Sequence, residues 1–120
     1  ISARTKLIAI TQMSNVLGSI VDVKKICESE LTRHIPVLVD GSQAAVHMKI
    51  DVKDIGCDFY AITGHKLYGP SSSGAVYISK SRMEEMTPFM GGGAMISEVK
   101  RDSVTFNSAP HISASVALTD

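Results

Sequence analysis

Two features that often reveal a protein's partners are missing from this sequence. Its 12 lysines and arginines balance its 12 aspartates and glutamates, so the formal net charge is zero. It therefore has no basic surface of the kind that holds a phosphate backbone, and we predict no nucleic-acid partner. Its apolar runs, such as Leu7 to Ile10 and Ala44 to Val46, fall far short of the roughly 20 residues that a membrane span needs. We predict no membrane span.

Cysteine is scarce as well. Cys27 and Cys57 are the only two, and they do not form a C-x-x-C motif, so the sequence indicates neither a disulfide framework nor a structural zinc site. We predict no metal site, two small buried hydrophobic side chains and a reducing, cytoplasmic location. The first residue is not Met and the opening residues lack the layout of a secretory signal, so we expect the chain to begin within a longer protein.

What the sequence does contain is enough apolar material for one globular domain. It has 120 residues, 44% of them hydrophobic, and a mean hydropathy of +0.14. Its residue patterns predict an α/β fold, a partial and mostly parallel sheet with flanking helices. The predicted elements are strands at 7–10, 37–39, 57–62 and 74–78, a helix from 22 to about 34, a linking segment before the third strand, a glycine loop at 91–93 and an exposed strand at 99–106.

Six side chains suited to ligand binding follow the ends of the predicted strands. They are Asn15, Asp40, Gln43, Thr63, His65 and Lys66. In open α/β sheets, ligands bind just outside the carboxyl ends of the strands. A carboxylate there can keep a ring nitrogen protonated, an amide can bind a phenolic oxygen, and a hydroxyl with an imidazole can bind phosphate. A lysine amine can bind an aldehyde covalently, so these residue types permit cofactor chemistry at this edge.

Each of these side chains also has an ordinary interpretation. Lys66 could be a surface lysine that extends its amine into water, and Asp40 could cap the start of a helix. Lone amides such as those of Asn15 and Gln43 are common loop residues. We treat His34, His47 and His111 as surface or packing residues, since no neighbouring motif supports them.

The order of the motifs resembles one enzyme family. "VLVDGSQAAVH" followed by "CDFYAITGHKLYGP" is similar to the pyridoxal-phosphate signature of class V aminotransferase-like enzymes, in which an Asp, a Gln three residues later and a Ser/Thr-x-His-Lys group occur in this order. "TQMSNVLG" and "MGGGAMI" resemble the family's SNVLG and glycine loops. Among class V enzymes the chain is most similar to the cysteine desulfurases and selenocysteine lyases.

The resemblance implies a role for each of the six residues. Lys66 would bind pyridoxal 5'-phosphate covalently and later move the proton at the substrate α-carbon. Asp40 would pair with the ring nitrogen, Gln43 would bind the phenolic oxygen, and Asn15 would lie near the same edge or the substrate carboxylate. Thr63 and His65 would contact the phosphate. Lys66 is the expected catalytic residue.

Some parts of the family pattern are not in this sequence. These are the nucleophilic cysteine that follows the lysine in the family, the imidazole that stacks on the cofactor and the arginine that binds the substrate carboxylate. Residues 71–74 read Ser-Ser-Ser-Gly where the family has a glycine-rich turn. We expect residues 1–110 to be a portion of the cofactor-binding large domain and 111–120 to be a tail that does not match. We expect the 120-residue fragment alone to be inactive.

Three functions stay open at this point. The resemblance favours a fragment of a cysteine desulfurase that converts L-cysteine, or L-selenocysteine, to L-alanine and passes the sulfur to an acceptor protein for iron–sulfur cluster assembly. It also implies a homodimer whose sites use both subunits. The alternatives are a non-catalytic remnant and an aminotransferase or lyase of the same fold.

Overall fold

A computed structural model of the chain describes residues 1–29, 32–87 and 95–107. Residues up to Tyr77 form one compact unit, and the described residues from Ile78 onwards belong to a second. Within the described residues, no helix is long and apolar enough to cross a membrane.

A four-stranded sheet is the frame of the first unit. Its strands are β1 (Ile8–Thr11), β2 (Val37–Asp40), β3 (Phe59–Thr63) and β4 (Gly74–Ile78), and they are ordered β1-β2-β3-β4. β1, β2 and β3 run parallel, and Asp40 pairs with Thr11 on one side and with Ala61 on the other. The Gly64 amide, just after β3, donates to the Ser73 carbonyl, just before β4, so β4 runs back along β3. The predicted α/β fold with a mostly parallel sheet is confirmed.

The core lies on one face of this sheet. Side chains alternate between the two faces of a strand, so Val37 and Val39 of β2 share a face with Tyr60 of β3. Helix α1 (Val23–Cys27) and helix α3 (Val52–Ile55) contribute Val23 and Ile55 to the same buried cluster. Each such side chain stabilises the fold by about 2 kcal/mol on burial.

The first helix is shorter than we predicted. The pattern indicated a helix from 22 to about 34, whereas α1 ends at Cys27 and no described residue from 32 to 34 is helical. The buried hydroxyl of Thr32 lies 2.6 Å from the carbonyl oxygen of Ile26 and 2.8 Å from that of Ser29. It therefore satisfies carbonyl groups that a longer helix would have bonded itself.

The segment between β2 and β3 was also misjudged. We predicted a linking segment, but it contains helix α2 (Ala44–His47) and helix α3, which begins after Asp51 caps the amides of Lys53 and Asp54 at 3.0 and 3.1 Å. The third strand begins at Phe59, not Cys57. Just before it, the Asp58 carboxylate accepts the Val37 amide at 2.9 Å, and the Asp58 amide donates to the Val37 carbonyl at 3.1 Å.

The second unit contains helix α4 (Lys80–Glu85) and a small hairpin, β5 (Ile96–Val99) and β6 (Val104–Phe106). The prediction of one exposed strand over 99–106 was wrong. The Lys100 amide donates to the Ser103 carbonyl at 2.8 Å, which reverses the chain between two antiparallel strands. The predicted glycine loop at 91–93 and the tail at 111–120 lie outside the described residues.

Candidate functional site

Asp40 is the last residue of β2, between two parallel neighbours. Its Oδ1 accepts the Ser42 amide at 3.0 Å, and its backbone carbonyl accepts the Gln12 amide at 3.0 Å. The carboxylate has no further partner within the part of the chain that the structure describes. Since Asp40 follows Val39 by one residue, its side chain projects from the sheet face opposite to the core. The half-buried carboxylate is therefore held by one hydrogen bond and has a second oxygen that can accept another.

Gln43 begins the next element. It lies at the N-cap of α2, and its side-chain amide does not cap the helix. The amide is half-buried and has no hydrogen-bond partner among the described residues. The amide of Gln43 is thus not used to hold the fold together in the described part of the molecule.

Thr63 ends β3 on the same sheet face as Asp40. It follows Ala61, the partner of Asp40, by two residues, so its side chain lies on the same sheet face as those of Ala61 and Asp40. Its Oγ1 is buried and is the one buried side-chain polar atom, among residues that the structure describes, without a hydrogen-bond partner. A buried hydroxyl left unpaired costs about 1–3 kcal/mol, so an acceptor atom supplied by a ligand would be stabilising there.

His65 and Lys66 lie in a single 3-10 turn, Gly64–Lys66, directly after β3. The Gly64 carbonyl accepts the amides of Leu67 and Gly69, both at 2.8 Å, so this turn is held from within the loop. His65 is exposed and Lys66 is half-buried. Lys66 has no ion-pair partner in the described ranges. Its amine is not committed to a salt bridge in that part of the chain.

Asn15 lies in a different element, the loop that leaves β1. Met13 and Ile20 pair across the base of this loop, and the Ser14 hydroxyl accepts the amides of Val16 and Leu17 at 3.2 Å. Asn15 is exposed. Strand topology thus brings Asp40, Thr63 and the His65–Lys66 turn to one edge of the sheet, with Asn15 on the neighbouring loop. No hydrogen bond joins these side chains to one another in the described residues.

From the sequence we predicted no role for two residues beside this edge, Tyr60 and Gln12. The Tyr60 hydroxyl donates to Oε1 of Gln12 at 2.6 Å, and the two side chains are 4% and 5% exposed. Burial, with smaller contributions from Cys57 and Asp40, raises the pKa of Tyr60 to about 12. A tyrosine inside an apolar strand was the available signal, because a buried hydroxyl needs a partner. Nothing in the sequence pointed to Gln12 as that partner.

Comparison with known proteins identifies the family of this chain. The sequence profile named Aminotransferase class-V matches residues 1–115. The chain belongs to this family. A probable cysteine desulfurase of Xylella fastidiosa (strain 9a5c) is 53% identical over 108 residues. The crystal structure of the cysteine desulfurase CsdA from Escherichia coli superposes with a TM-score of 0.81 at 43% identity. The apo structure of a cysteine desulfurase from Thermococcus onnurineus NA1 superposes with a TM-score of 0.78 at 31% identity.

These similarities cover most of this class V chain and a small part of its relatives. The Xylella protein matches over 90% of this chain, and the matched region is 26% of that protein. The two crystal structures match over 92% and 95% of this chain, and each match is 28% of the solved chain. The resemblance to class V enzymes and to cysteine desulfurases is confirmed, and the chain spans about a quarter of the length of these relatives.

The two cysteines of this class V chain lie away from the edge that carries Lys66. Cys57 is 4% exposed, and burial raises its pKa to about 11. Cys27 is half-buried, and burial raises its pKa as well. The prediction of a small buried hydrophobic side chain is confirmed for Cys57 and holds in part for Cys27. His34 and His47 are exposed, as expected of surface residues, and His111 lies outside the described residues.

Proposed function

We propose that this chain is the lysine-bearing part of the large domain of a pyridoxal 5'-phosphate-dependent cysteine desulfurase. One observation carries the proposal: Asp40 and Thr63 end adjacent parallel strands on the same sheet face, and Lys66 follows Thr63 within one turn. A positioned carboxylate, a hydroxyl without a partner and an uncommitted amine suit the ring nitrogen, the phosphate and the aldehyde of this cofactor. The names of the relatives support the choice of reaction.

The residues that are present fit the cofactor. The carboxylate of Asp40 would accept a hydrogen bond from the protonated ring nitrogen and would keep that nitrogen charged. The amide of Gln43 would donate to the phenolic oxygen. Thr63 and His65 would donate to the phosphate, which would give the buried Thr63 hydroxyl the acceptor that it lacks. Asn15 would bind the same edge of the ring or the carboxylate of the substrate.

When bound, pyridoxal phosphate supplies an electron-accepting ring that stabilises the charge left when the substrate α-carbon loses its proton. Lys66 would hold the cofactor covalently, and its free amine would be the general base for the proton of the substrate α-carbon. The half-buried position of Lys66 at the end of a hydrogen-bonded turn would limit the directions from which its amine approaches the α-carbon.

The activity of the whole protein extends this proposal. L-cysteine would become L-alanine while its sulfur passes to a thiol as a persulfide, and an acceptor protein would take the sulfur for iron–sulfur cluster assembly. L-selenocysteine is the related substrate. We propose a cytoplasmic homodimer, and we propose that the nucleophilic thiol lies outside this chain, because burial raises the pKa of both Cys27 and Cys57 and so disfavours their thiolate forms.

The test is to add pyridoxal phosphate to the purified 120-residue chain, reduce it with borohydride and map the modified residue by mass spectrometry. We expect one stoichiometric adduct on Lys66 that is absent from Lys66→Ala. Lys53→Ala is the matched control, since Lys53 is an exposed lysine of α3, and it should leave the adduct unchanged.

Scattered labelling of exposed lysines, or none, would assign the chain to the non-catalytic alternative. A specific Lys66 adduct would leave an aminotransferase or another lyase as the competing reaction. Alanine production from L-cysteine by the full-length gene product separates these, because an aminotransferase would form a keto acid and leave the carbon–sulfur bond intact.

A further inference from the structure

We propose that Tyr60 and Gln12 form a brace that positions Asp40 for its cofactor from the opposite face of the sheet. The brace is the hydrogen bond between the Tyr60 hydroxyl and Oε1 of Gln12. The part of this proposal that concerns cofactor binding rests on the proposed function. Neither residue would touch the cofactor, so both are positioning residues.

The brace spans three strands. Gln12 follows β1 directly, Tyr60 lies within β3, and β2 runs between them. The 2.6 Å bond between their side chains therefore crosses β2 at the place where that strand ends. Both side chains are almost fully buried, so water does not compete for this bond.

Gly41 allows the Tyr60 ring to contact the backbone next to Asp40. A Cβ atom at Gly41 would overlap the ring of Tyr60, which means that the ring lies directly against this backbone. Only glycine permits so close an approach. The Tyr60 ring thus supports the residue next to Asp40, while the Asp40 carboxylate projects from the other face.

The backbone bonds around Asp40 depend on the same residues. The Gln12 amide donates to the Asp40 carbonyl at 3.0 Å, and the Gly41 amide donates to the Ala61 carbonyl at 2.9 Å. Ala61 follows Tyr60 in sequence. The chain on each side of β2 therefore supplies one side chain of the brace and one backbone hydrogen bond to Asp40 or Gly41. Fixing the Gln12 and Tyr60 side chains therefore fixes the backbone from which Asp40 projects.

The charge of Asp40 and the hydroxyl of Tyr60 are close enough to interact. Asp40 is among the groups that raise the pKa of Tyr60, after burial and Cys57. The hydroxyl consequently stays protonated and remains a donor to Gln12 at every pH at which the enzyme would work. An ionised phenolate would instead repel the carboxylate that the brace holds.

The first experiment needs no cofactor. Amide hydrogen exchange is measured in the wild-type chain and in Tyr60→Phe, which keeps the ring and removes the donor. We expect exchange at Gly41 and Gln12 to quicken about tenfold, since a buried acceptor is left unpaired. Exchange at Ile55 and Gly56, which donate to Asp51 and Val52 in α3, should stay within about twofold.

Equal acceleration at both places would make Tyr60 a general packing residue and would overturn the proposal, as would no acceleration at Gly41. Gln12→Met removes the acceptor in a side chain of similar length and should reproduce the same local pattern. This second variant keeps the test decisive if Tyr60→Phe does not fold.

The second experiment asks whether the brace acts through Asp40. Affinity for pyridoxal phosphate is measured from its visible absorption in the wild type, Tyr60→Phe, Asp40→Asn and the double variant. We expect Tyr60→Phe to weaken binding about tenfold in the wild type and less than about twofold beside Asp40→Asn. Equal effects in both backgrounds would contradict positioning through Asp40. Failure of the wild type to bind at Lys66 would overturn the proposed function, while the exchange result would still decide whether the brace holds the turn.

Discussion

Tyr60 and Cys57 are two weak acids buried in the same core cluster, and their environment shifts both pKa values upward. The pKa of Tyr60 rises to about 12 and that of Cys57 to about 11, in each case chiefly because burial disfavours the charged form. Each group is bound more tightly to its proton in the folded chain than in the unfolded chain. The fold should therefore lose stability in alkali.

Comparing Tyr60→Phe with the wild type isolates the contribution of Tyr60. Because the native pKa of Tyr60 is raised above its unfolded value near 10, its stabilisation is fully present below about pH 10 and is lost as the pH rises to about 12. We expect the difference in unfolding free energy between the two proteins to shrink across this range in urea titrations. Tyr68→Phe is the control, because Tyr68 is 98% exposed. A difference that does not change with pH would contradict this assignment.

At the scale of elements, the connection from β3 to β4 determines where Lys66 lies. Besides the Gly64–Ser73 backbone bond of 2.7 Å, the Ser73 hydroxyl donates to the Pro70 carbonyl at 2.8 Å, and Tyr68 and Ser72 adopt positive φ angles of 61° and 64°. Two non-glycine residues in this conformation show that the loop is held by its contacts, since such angles are unfavourable for side chains with a Cβ. These contacts hold the β3–β4 loop and so fix the position at which the Gly64–Lys66 turn begins.

Gly64→Ala tests this connection. The new Cβ would overlap the Ser73 hydroxyl and lie 3.1 Å from the Ser73 carbonyl oxygen, so we expect a loss of roughly 1–3 kcal/mol in unfolding free energy and a weaker Lys66 adduct. Adding Ser73→Ala should recover part of the loss by removing the nearest atom. Gly56→Ala is the control, because the Cβ there meets open space and the substitution costs about 1–2 kcal/mol through its positive φ alone. An adduct as complete in Gly64→Ala as in the wild type would overturn this view of the turn.

At the scale of the whole molecule, the first unit leaves an apolar groove open. The groove encloses about 480 Å³, and all the residues that line it are apolar or aromatic. They are Ala45, Met48, Ile50, Val52, Tyr60, Ile62, Leu67, Ala75, Val76 and Tyr77. An apolar surface of this kind is unusual for a protein that is complete on its own, and the chain spans only about a quarter of the length of its relatives.

A hydrophobic fluorescent dye should therefore bind the isolated chain. Val76 is 49% exposed in the groove, and we expect Val76→Lys to lower the dye signal by about half or more, because an ammonium group makes burial of the dye unfavourable. Val16→Lys, at an exposed position outside the groove, is the matched control and should have little effect. Equal effects of the two substitutions would show that the dye does not bind in the groove.

Much of this fold could be predicted because its signals are local. The β-branched run that ends at Asp40 and the apolar run before Thr63 each gave a strand within two residues of its observed ends. Two of the errors arose where a side chain took part in a hydrogen bond outside the predicted element. The Thr32 hydroxyl bonds to the Ile26 carbonyl of α1, and the Asp58 carboxylate accepts the Val37 amide of β2. No pattern along the chain reports such partners.

The sequence by itself determined the residue types that cofactor chemistry needs, their order along the chain and the family to which the chain belongs, because motif order is a linear property. Only the tertiary structure decided which of these residues share a sheet edge and a sheet face, that the Thr63 hydroxyl lacks a partner, and that Gln12 reaches Tyr60 beneath Gly41. These depend on strand register and on contacts between residues far apart in sequence, and such contacts are fixed only when the strands pack together.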